Sequence, residues 1–442
     1  MNPTRNAMSW EELAIYAADP IDQINGLNNP YSTLRLFNKS ESQAIVTLYR
    51  DNHAWCPYCQ KVWIWLELKN IPYRIKKVTM RCYGEKERWY LKKVPSGMLP
   101  AIEIENHVIT ESDEILFVLE EIYGPLGQSL NENKVLEHRR LERELFSSWC
   151  NWLCRNSLFQ AQEEQKKENF KNVAKKFEKE LQKNASGWLT PVSTKNGEKP
   201  GSADVIFIPY VERMNASLAY YKGYSLRDEH PIINTWLKNL EKLEEYRGTQ
   251  GDFHTHAHDL PPQMGGCFTY SNKNQQLFAQ EIDIGSGLGQ LELVDFKVDQ
   301  KSEQHFEALA LERVIKHKER IVSVSPMKNK LFDQPLRAAL TSMISKKDCR
   351  PEENSASALR YLRDRISVPR DMPLLSGRLF RQALERTANI DGSDPVFFEL
   401  VMFHSIQNAS PGVHGDIEIR HAFFQNVHSK IVEMFCCVLV IN

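Results

Sequence analysis

The sequence lacks any apolar run approaching the ~20 residues of a membrane-spanning helix, so no membrane partner is expected. It also lacks an excess of either charge: 56 Lys and Arg stand against 57 Asp and Glu, for a net charge of −1. A dedicated nucleic-acid binder should carry a basic surplus, so no nucleic-acid partner is expected either. A disulfide framework is missing too. Of nine cysteines, Cys82, Cys150, Cys154, Cys267 and Cys349 follow no regular spacing, which argues against a secreted scaffold. The first ten residues have no apolar signal core, and Glu11, Glu12 and Asp19 come too early for a transit peptide. A reducing, cytoplasmic setting is the expectation, or a plastid one if the N-terminus is incomplete. No internal repeat stands out.

What is present is ordinary globular material. The 442 residues are 42% hydrophobic and 26% charged, enough for two to four domains at ~100–200 residues each. Residues 1–40 read as a leader, in which Ser9 and Glu12 fit the capping box of a short helix. From Ala44 the pattern sharpens. The apolar run to Tyr49 predicts a strand, 56–69 a helix and 72–78 a second strand, so a β–α–β unit with parallel pairing is expected. A helix near 85–91, strands at 99–104 and 107–110 joined by a Glu105-Asn106 hairpin, and a helix over 112–123 complete a domain spanning 41–125. Residues 130–248 read as all-helical. Leu141, Leu145, Trp149, Trp152 and Leu153 form one stripe; Phe170, Val173, Phe177 and Leu181 form another, with a solvated Lys/Glu face opposite. A loop over 187–201 leads to helices at 205–221 and 232–246. Residues 249–392 read as a mainly helical extension with a loop-like start at Phe253 to Cys267. Residues 393–442 form an atypical tail with an apolar run at 431–441, expected to stem from a wrong splice or reading frame.

Three motifs carry chemistry. Cys56-Pro57-Tyr58-Cys59 falls between a predicted strand and a predicted helix. The open N–H groups and positive dipole at such a helix start favour a thiolate, and proline suits the first turn. Cys56 would be the exposed nucleophile and Cys59 a more buried partner able to form a disulfide with it. A structural pair and half a zinc site are the competing readings; no second Cys-x-x-Cys at zinc spacing is present, and no metal is expected. The second motif is Val94-Pro95-Ser96-Gly97-Met98-Leu99-Pro100. A cis Pro100 would turn the preceding backbone outward and let Leu99 offer its N–H and C=O to a peptide-like ligand; an ordinary loop proline is the plain alternative. The third is Glu111-Ser112-Asp113 at a helix start, either a simple cap or an anion site with Glu111 facing an ammonium group.

In this order and spacing, the three motifs resemble the thioredoxin-like N-terminal domain of soluble glutathione transferases. The cysteine-type site is similar to that of the omega, dehydroascorbate-reductase and glutaredoxin-like members. The resemblance implies an α/β thioredoxin-like domain followed by an all-α transferase C-terminal domain and a mainly helical extension. It implies glutathione as co-substrate, with its sulfur near Cys56, its cysteinyl backbone on Leu99 before cis-Pro100, and its γ-glutamyl end on Glu111 and Ser112. Lys93 would hold a glutathione carboxylate. The implied activity is thiol transfer on glutathionylated or small electrophilic or oxidised substrates, with dehydroascorbate among them. A non-catalytic binding scaffold acting through the extension is the alternative. Family members are commonly dimers, so a homodimer is implied. The stretch Tyr49 to Cys59, residues 205–224 and the extension look closest to the iota class of photosynthetic organisms. In the helical domain, Gly201-Ser202-Ala203-Asp204 stands where the family has Ser/Thr-x-x-Asp, so a capping hydroxyl is lost and local stability is in doubt. Trp149, Trp152 and Tyr210 are expected near the wall of an acceptor pocket.

Other constellations have bland readings. His254, His256 and His258, followed by Asp259, could project three imidazoles from one face of an extended segment; hydrogen-bonding loop histidines are the simpler view. Gly285-Ser286-Gly287-Leu288-Gly289 lacks the Lys-Ser/Thr of a phosphate loop and reads as a flexible loop. Arg360, Arg363, Arg365, Arg370 and Arg378, interleaved with Asp364 and Asp371, read as salt-bridged helices packed on the body.

Overall fold

The structure is a computed structural model that describes residues 6–285, 300–327 and 331–391. The glycine-rich stretch beyond Gly285 and the tail 393–442 lie outside the described residues. The leader contains a short helix, α1 (Trp10–Ala14), closed by the Ser9–Glu12 capping box, and a two-residue strand, β1 (Leu34–Arg35). The next elements follow the sequence pattern: β2 (Val46–Asp51), α2 (Pro57–Leu68), β3 (Tyr73–Val78), α3 (Arg88–Lys93), β4 (Ala101–Ile104), β5 (His107–Thr110) and α4 (Ser112–Tyr123). Strand order is β1-β3-β2-β4-β5; β2 and β3 run parallel, while β4 and β5 are antiparallel to their neighbours. The Glu105-Asn106 turn has φ of 48° and 68°, the left-handed pair that a two-residue hairpin requires. Alternation along β2 sends Val46 and Leu48 under α2 and α4, and Tyr49 to the opposite face with Val78, Tyr90 and Val94. The strand β1 was not foreseen, because two residues carry no period.

The helical part comprises α5 (Asn133–Leu153), α6 (Gln160–Leu181), a small hairpin of β6 (Val192–Thr194) and β7 (Gly197–Lys199), and α7 (Ser202–Lys222). Then come α8 (Leu226–Glu229), α9 (Pro231–Glu241) and α10 (Glu244–Arg247), so the single helix expected over 232–246 is broken after Glu241. This is an α/β thioredoxin-like sheet domain followed by an all-α domain. Trp149 and Trp152 are core rather than pocket wall: both are buried, and their indole N–H groups donate to Ser217 Oγ (3.0 Å) and Glu163 Oε1 (2.7 Å).

The doubtful cap of α7 is rebuilt from outside. Thr190 Oγ1 accepts the Ala203 N–H at 3.0 Å, the bond that a hydroxyl at position 201 would otherwise make. Asp204 accepts the amides of Leu189 (2.9 Å), Thr190 (3.0 Å) and Gly201 (3.1 Å) and the Trp236 indole N–H (2.9 Å). A Cβ on Gly201 would run into the Thr190 carbonyl oxygen. Restoring the family hydroxyl with Gly201→Ser should therefore destabilise the protein, by about 1–3 kcal/mol for overpacking, in a denaturant titration.

The extension is mainly helical in its described part: α11 (Phe253–Met264), α12 (Lys273–Asp283), α13 (Gln300–Val324), α14 (Asp333–Ser345), α15 (Ala356–Arg363) and α16 (Leu374–Asp391). The loop expected at Phe253 to Cys267 is thus largely helix α11, capped by Asp252, whose Oδ1 accepts the Thr255 N–H at 2.9 Å. The His, Pro and Gly content there hid the helix, since Pro261 and Pro262 sit in its last turn. A second core is formed by Leu311, Val314, Leu336, Leu340, Leu359, Phe380 and Leu384, and it takes in Leu13 of α1. The leader helix is tied there by Trp10 Nε1 to Asp333 (2.8 Å) and Arg337 to the Met8 carbonyl (2.9 Å). Part of the arginine-rich segment is salt-bridged, with Arg360 and Arg363 sharing Glu385 and Arg370 paired with Asp371 at 2.8 Å, whereas Arg365 lies over the Tyr361 ring. No helix among the described residues is long and apolar enough to cross a membrane.

A helical α11 also separates the three histidines. His256 Nε2 meets Glu212 Oε1 of α7 at 2.7 Å, whereas His254 and His258 lie on another side, with ring centroids 4.5 Å apart. His258 Nε2 meets Asp283 at 2.9 Å. The expectation of three imidazoles on one face is corrected, because side chains two apart on a helix diverge by ~200°. Burial, reinforced by Arg381, pushes His254 down to about 4. The unfolded chain would bind that proton near pH 6.5 and the folded chain only near 4. Stability should therefore fall as pH drops through this window, by about 3 kcal/mol from this group. His254→Gln should flatten that acid limb in unfolding titrations between pH 7.5 and 4.

Candidate active site

The loop between β2 and α2 is organised by Asp51, the last residue of the strand. Its Oδ2 accepts the amides of Trp55 (2.6 Å) and Cys56 (3.2 Å), turning the chain into the helix. Cys56 is the N-cap of α2 and Pro57 its first residue. The Cys56 sulfur accepts the Cys59 N–H at 3.4 Å, so it stands at the positive end of the helix. Cys56, expected to be exposed, is buried with 6% of its surface accessible, because the Asp51 turn and the cis-proline loop close over it; Cys59 is buried one turn on. Burial first, then the hydrogen bond and charge of Cys56, push its thiol well above the ordinary range.

The Leu99–Pro100 bond is cis, and the Leu99 carbonyl lies 4.0 Å from the Cys56 sulfur. The structure thus brings Cys56, Cys59, Leu99 and Pro100 together. Glu111 precedes α4 with φ of 63°, a left-handed value that a non-glycine residue seldom takes, and Ser112 is the first residue of the helix. Beside them, burial works against the charge of Asp113, yet Lys61 and Arg139 outweigh it and hold its carboxyl well below the usual range. Lys93 is exposed at the end of α3 and paired with Glu103 at 2.7 Å. Lys86 is the lysine that feels both thiols: burial lowers its ammonium, and the charges of Cys59 and Cys56 oppose that. Its Nζ donates to the Thr79 carbonyl at 2.9 Å.

Helix α7 supplies what the sequence reading missed. Arg213 is buried with its guanidinium 4.7 Å above the Trp55 ring, donating to the Trp55 carbonyl, to Gln60 Oε1 (2.8 Å) and to the Pro209 carbonyl (2.6 Å). Gln60 of α2 in turn donates to Glu212 Oε2 at 3.1 Å and to Thr249 Oγ1 at 3.1 Å. Glu212 closes the chain on His256, so polar contacts run from the cysteine helix through α7 to the extension. The signal was present: Glu212-Arg213 interrupts the apolar face of an otherwise buried helix. On the other side of Cys56, Tyr58 meets Tyr210 edge-on (centroids 5.9 Å), and Arg143 stacks over Tyr210 (4.9 Å) and Phe146 (4.6 Å). Tyr58 and Phe146 are half-buried and form the wall with the exposed Arg143, whereas Tyr210, expected at the wall, is buried in the core like Trp149 and Trp152. Among the described residues, the one group of three metal-ligating side chains with donor atoms within 4.8 Å is Asp51, Cys56 and Cys59. Asp51 already spends one oxygen on backbone amides.

Residues 55–122 match the family model of the glutathione S-transferase N-terminal domain. The chain is 27% identical over 199 residues to glutathione S-transferase DHAR3, chloroplastic, of Arabidopsis thaliana, covering 45% of this chain and 69% of that protein. It is 25% identical over 191 residues to a probable glutathione S-transferase DHAR2, chloroplastic, of rice (Oryza sativa subsp. japonica), covering 43% of this chain and 64% of that protein. A crystal structure of dehydroascorbate reductase from Chlamydomonas reinhardtii aligns at 19% identity and TM-score 0.39 over 47% of this chain and 93% of that one. Through its N-terminal domain and these curated relatives, the chain is similar to glutathione S-transferases.

Proposed function

We propose that the protein is a glutathione-dependent thiol transferase of the glutaredoxin-like, iota-related kind, with Cys56 as nucleophile. The observation that carries this reading is the Cys56 sulfur at the start of α2, facing the Leu99 carbonyl across the cis-proline loop. The Cys56 thiolate attacks the glutathione sulfur of a mixed disulfide, and the substrate thiol leaves. A second glutathione then attacks the Cys56–glutathione disulfide, releasing glutathione disulfide and the free thiolate. Cys59 is the alternative resolver, but its buried, raised thiol makes it a slow one. Reduction of dehydroascorbate would use the same nucleophile, a reading supported by relatives that carry the DHAR name.

In this reading Leu99 pairs with the cysteinyl backbone of glutathione, and Glu111 and Ser112 take the γ-glutamyl end. Lys93 takes a carboxylate. Glutathionylated or small electrophilic or oxidised molecules are the partners, and the half-buried Tyr58 and Phe146, backed by Tyr210, face them. A homodimer in a reducing cytoplasmic or plastid compartment belongs to the same proposal. The comparisons do not favour a non-catalytic scaffold. The test is glutathione-dependent reduction of a small glutathione mixed disulfide and of dehydroascorbate by the full chain. Turnover is expected with both, and Cys59→Ser should keep it within about threefold. Glutathione binding without any turnover would refute the enzyme reading.

A further inference from the structure

Three of the cysteines that look scattered in the sequence, distinct from Cys56 and Cys59, meet in space. Cys150 and Cys154 are one turn apart at the end of α5, with Cys154 as the helix cap. The Phe268 N–H donates to the Leu153 carbonyl at 2.8 Å, and the Tyr270 N–H to the Tyr221 carbonyl at 2.9 Å, laying the segment after α11 along the ends of α5 and α7. That register brings Cys267 beside Cys154. The Cys154 side chain hydrogen-bonds both Cys150 and Cys267, while Cys150 and Cys267 interact only through space. All three are half-buried residues, whereas Cys56, Cys59 and Cys349 are buried.

Two further features fit a reactive pair. Gly265 and Gly266 have φ of 76° and 143°, and a side chain on Gly266 would meet nothing within 4 Å, so the backbone before Cys267 has room to adjust. Hydrogen bonding to Cys154, then burial, raises the thiols of both Cys150 and Cys267, as expected if each donates its S–H to the central sulfur. Cys154 is thus the central sulfur of the three, with the Lys222 ammonium also acting on the cluster. Geometry selects the partner. Cβ atoms four apart on a helix are ~5–6 Å from each other, beyond the ~3.5–4.5 Å that a disulfide needs, so a Cys150–Cys154 bond would unwind α5.

We propose that Cys154 and Cys267 form a second redox site, a thiol pair that reacts with a hydroperoxide and closes a disulfide between the extension and α5. The Cys154 thiolate attacks the terminal oxygen of the hydroperoxide: an S–O bond forms, the O–O bond breaks, and the leaving alkoxide takes a proton and departs as alcohol, or water from hydrogen peroxide. Cys154 is thereby oxidised by two electrons to a sulfenic acid. The Cys267 sulfur then attacks the Cys154 sulfur, forming S–S and breaking S–O, and hydroxide leaves with the Cys267 proton as water. Two thiols and one hydroperoxide give one disulfide, one alcohol and one water.

The test uses the full reduced chain, stoichiometric hydrogen peroxide, alkylation of remaining thiols and peptide mapping without reduction. A Cys154–Cys267 linked peptide is expected, with alkylation of Cys154 falling at least about tenfold. The link should persist in Cys59→Ser and in Cys150→Ser. In Cys267→Ser it should vanish, leaving Cys154 as a sulfenic acid that a dimedone probe labels; Cys267→Ala serves if the serine variant misfolds. Cys154 remaining alkylatable while Cys56 oxidises would overturn the proposal, and so would a Cys150–Cys154 link.

Discussion

Cys56→Ser is expected to lower glutathione-dependent turnover by at least about 100-fold while leaving the fold and glutathione binding in place. The two halves of that expectation come from the same position. A serine hydroxyl with no base beside it is a poor nucleophile, and losing the attacking atom removes the chemical step itself. Yet Cys56 is the N-cap of α2, and serine caps helices better than cysteine, so its oxygen should accept the Cys59 N–H that the sulfur accepts at 3.4 Å. The check is a pair of measurements on one preparation: turnover of a small glutathione mixed disulfide, and the denaturant midpoint. Turnover within tenfold of the wild type would mean that Cys56 is not the attacking group. A lowered midpoint would mean that the sulfur matters to the fold.

The second large effect is structural. Asp252 and Arg381 form a buried ion pair, with 3% and 1% of their side chains exposed, at the point where α11 starts and α16 passes. Arg381 also donates to the Arg363 carbonyl at 3.2 Å and to the Ile366 carbonyl, so it stitches α15, the following loop and α16 to the base of α11. Arg381→Met removes the cation and leaves the Asp252 carboxylate uncompensated in the interior, at a cost of about 3–5 kcal/mol. Asp252→Asn combined with Arg381→Met should recover part of that loss, because the double variant strands no charge. Urea titration of the two variants beside the wild type reads the difference. A loss under 1 kcal/mol in the single variant would mean that water already reaches the pair.

Which parts were legible in the sequence follows from how far each signal reaches along the chain. The β–α–β unit, the Glu105-Asn106 hairpin and the helix stripes of α5 and α6 are local patterns of period two or 3.6, and they appear where the pattern put them. The Cys56–Cys59 site was legible for the same reason, since a helix start is a local event. Arg213 was not: it contacts the Trp55 carbonyl 158 residues away, and no window of sequence contains both. Thr190 repairs the cap of α7 from 13 residues upstream, so the missing hydroxyl at Gly201 read as a defect that the fold does not have. Helix α11 was masked by its own composition, and the His254, His256 and His258 geometry was misjudged with it. Cys150, Cys154 and Cys267 looked unrelated because the contact that joins them is made by the extension folding back on α5.

The helix at Trp10–Ala14 has a consequence for how the chain is made. Its partners lie in the second core, and Met8 bonds Thr341, 333 residues later. At ~5–20 residues per second, a ribosome needs on the order of tens of seconds to deliver those partners after the helix has emerged. Through that interval Trp10 and Leu13 stay without their docking surface, while the sheet and the helical domain can already assemble around the 57–247 region. The Trp10 helix thus settles long after it is made, and the nascent chain must carry this apolar turn past a folded neighbour until the helices of the second core arrive.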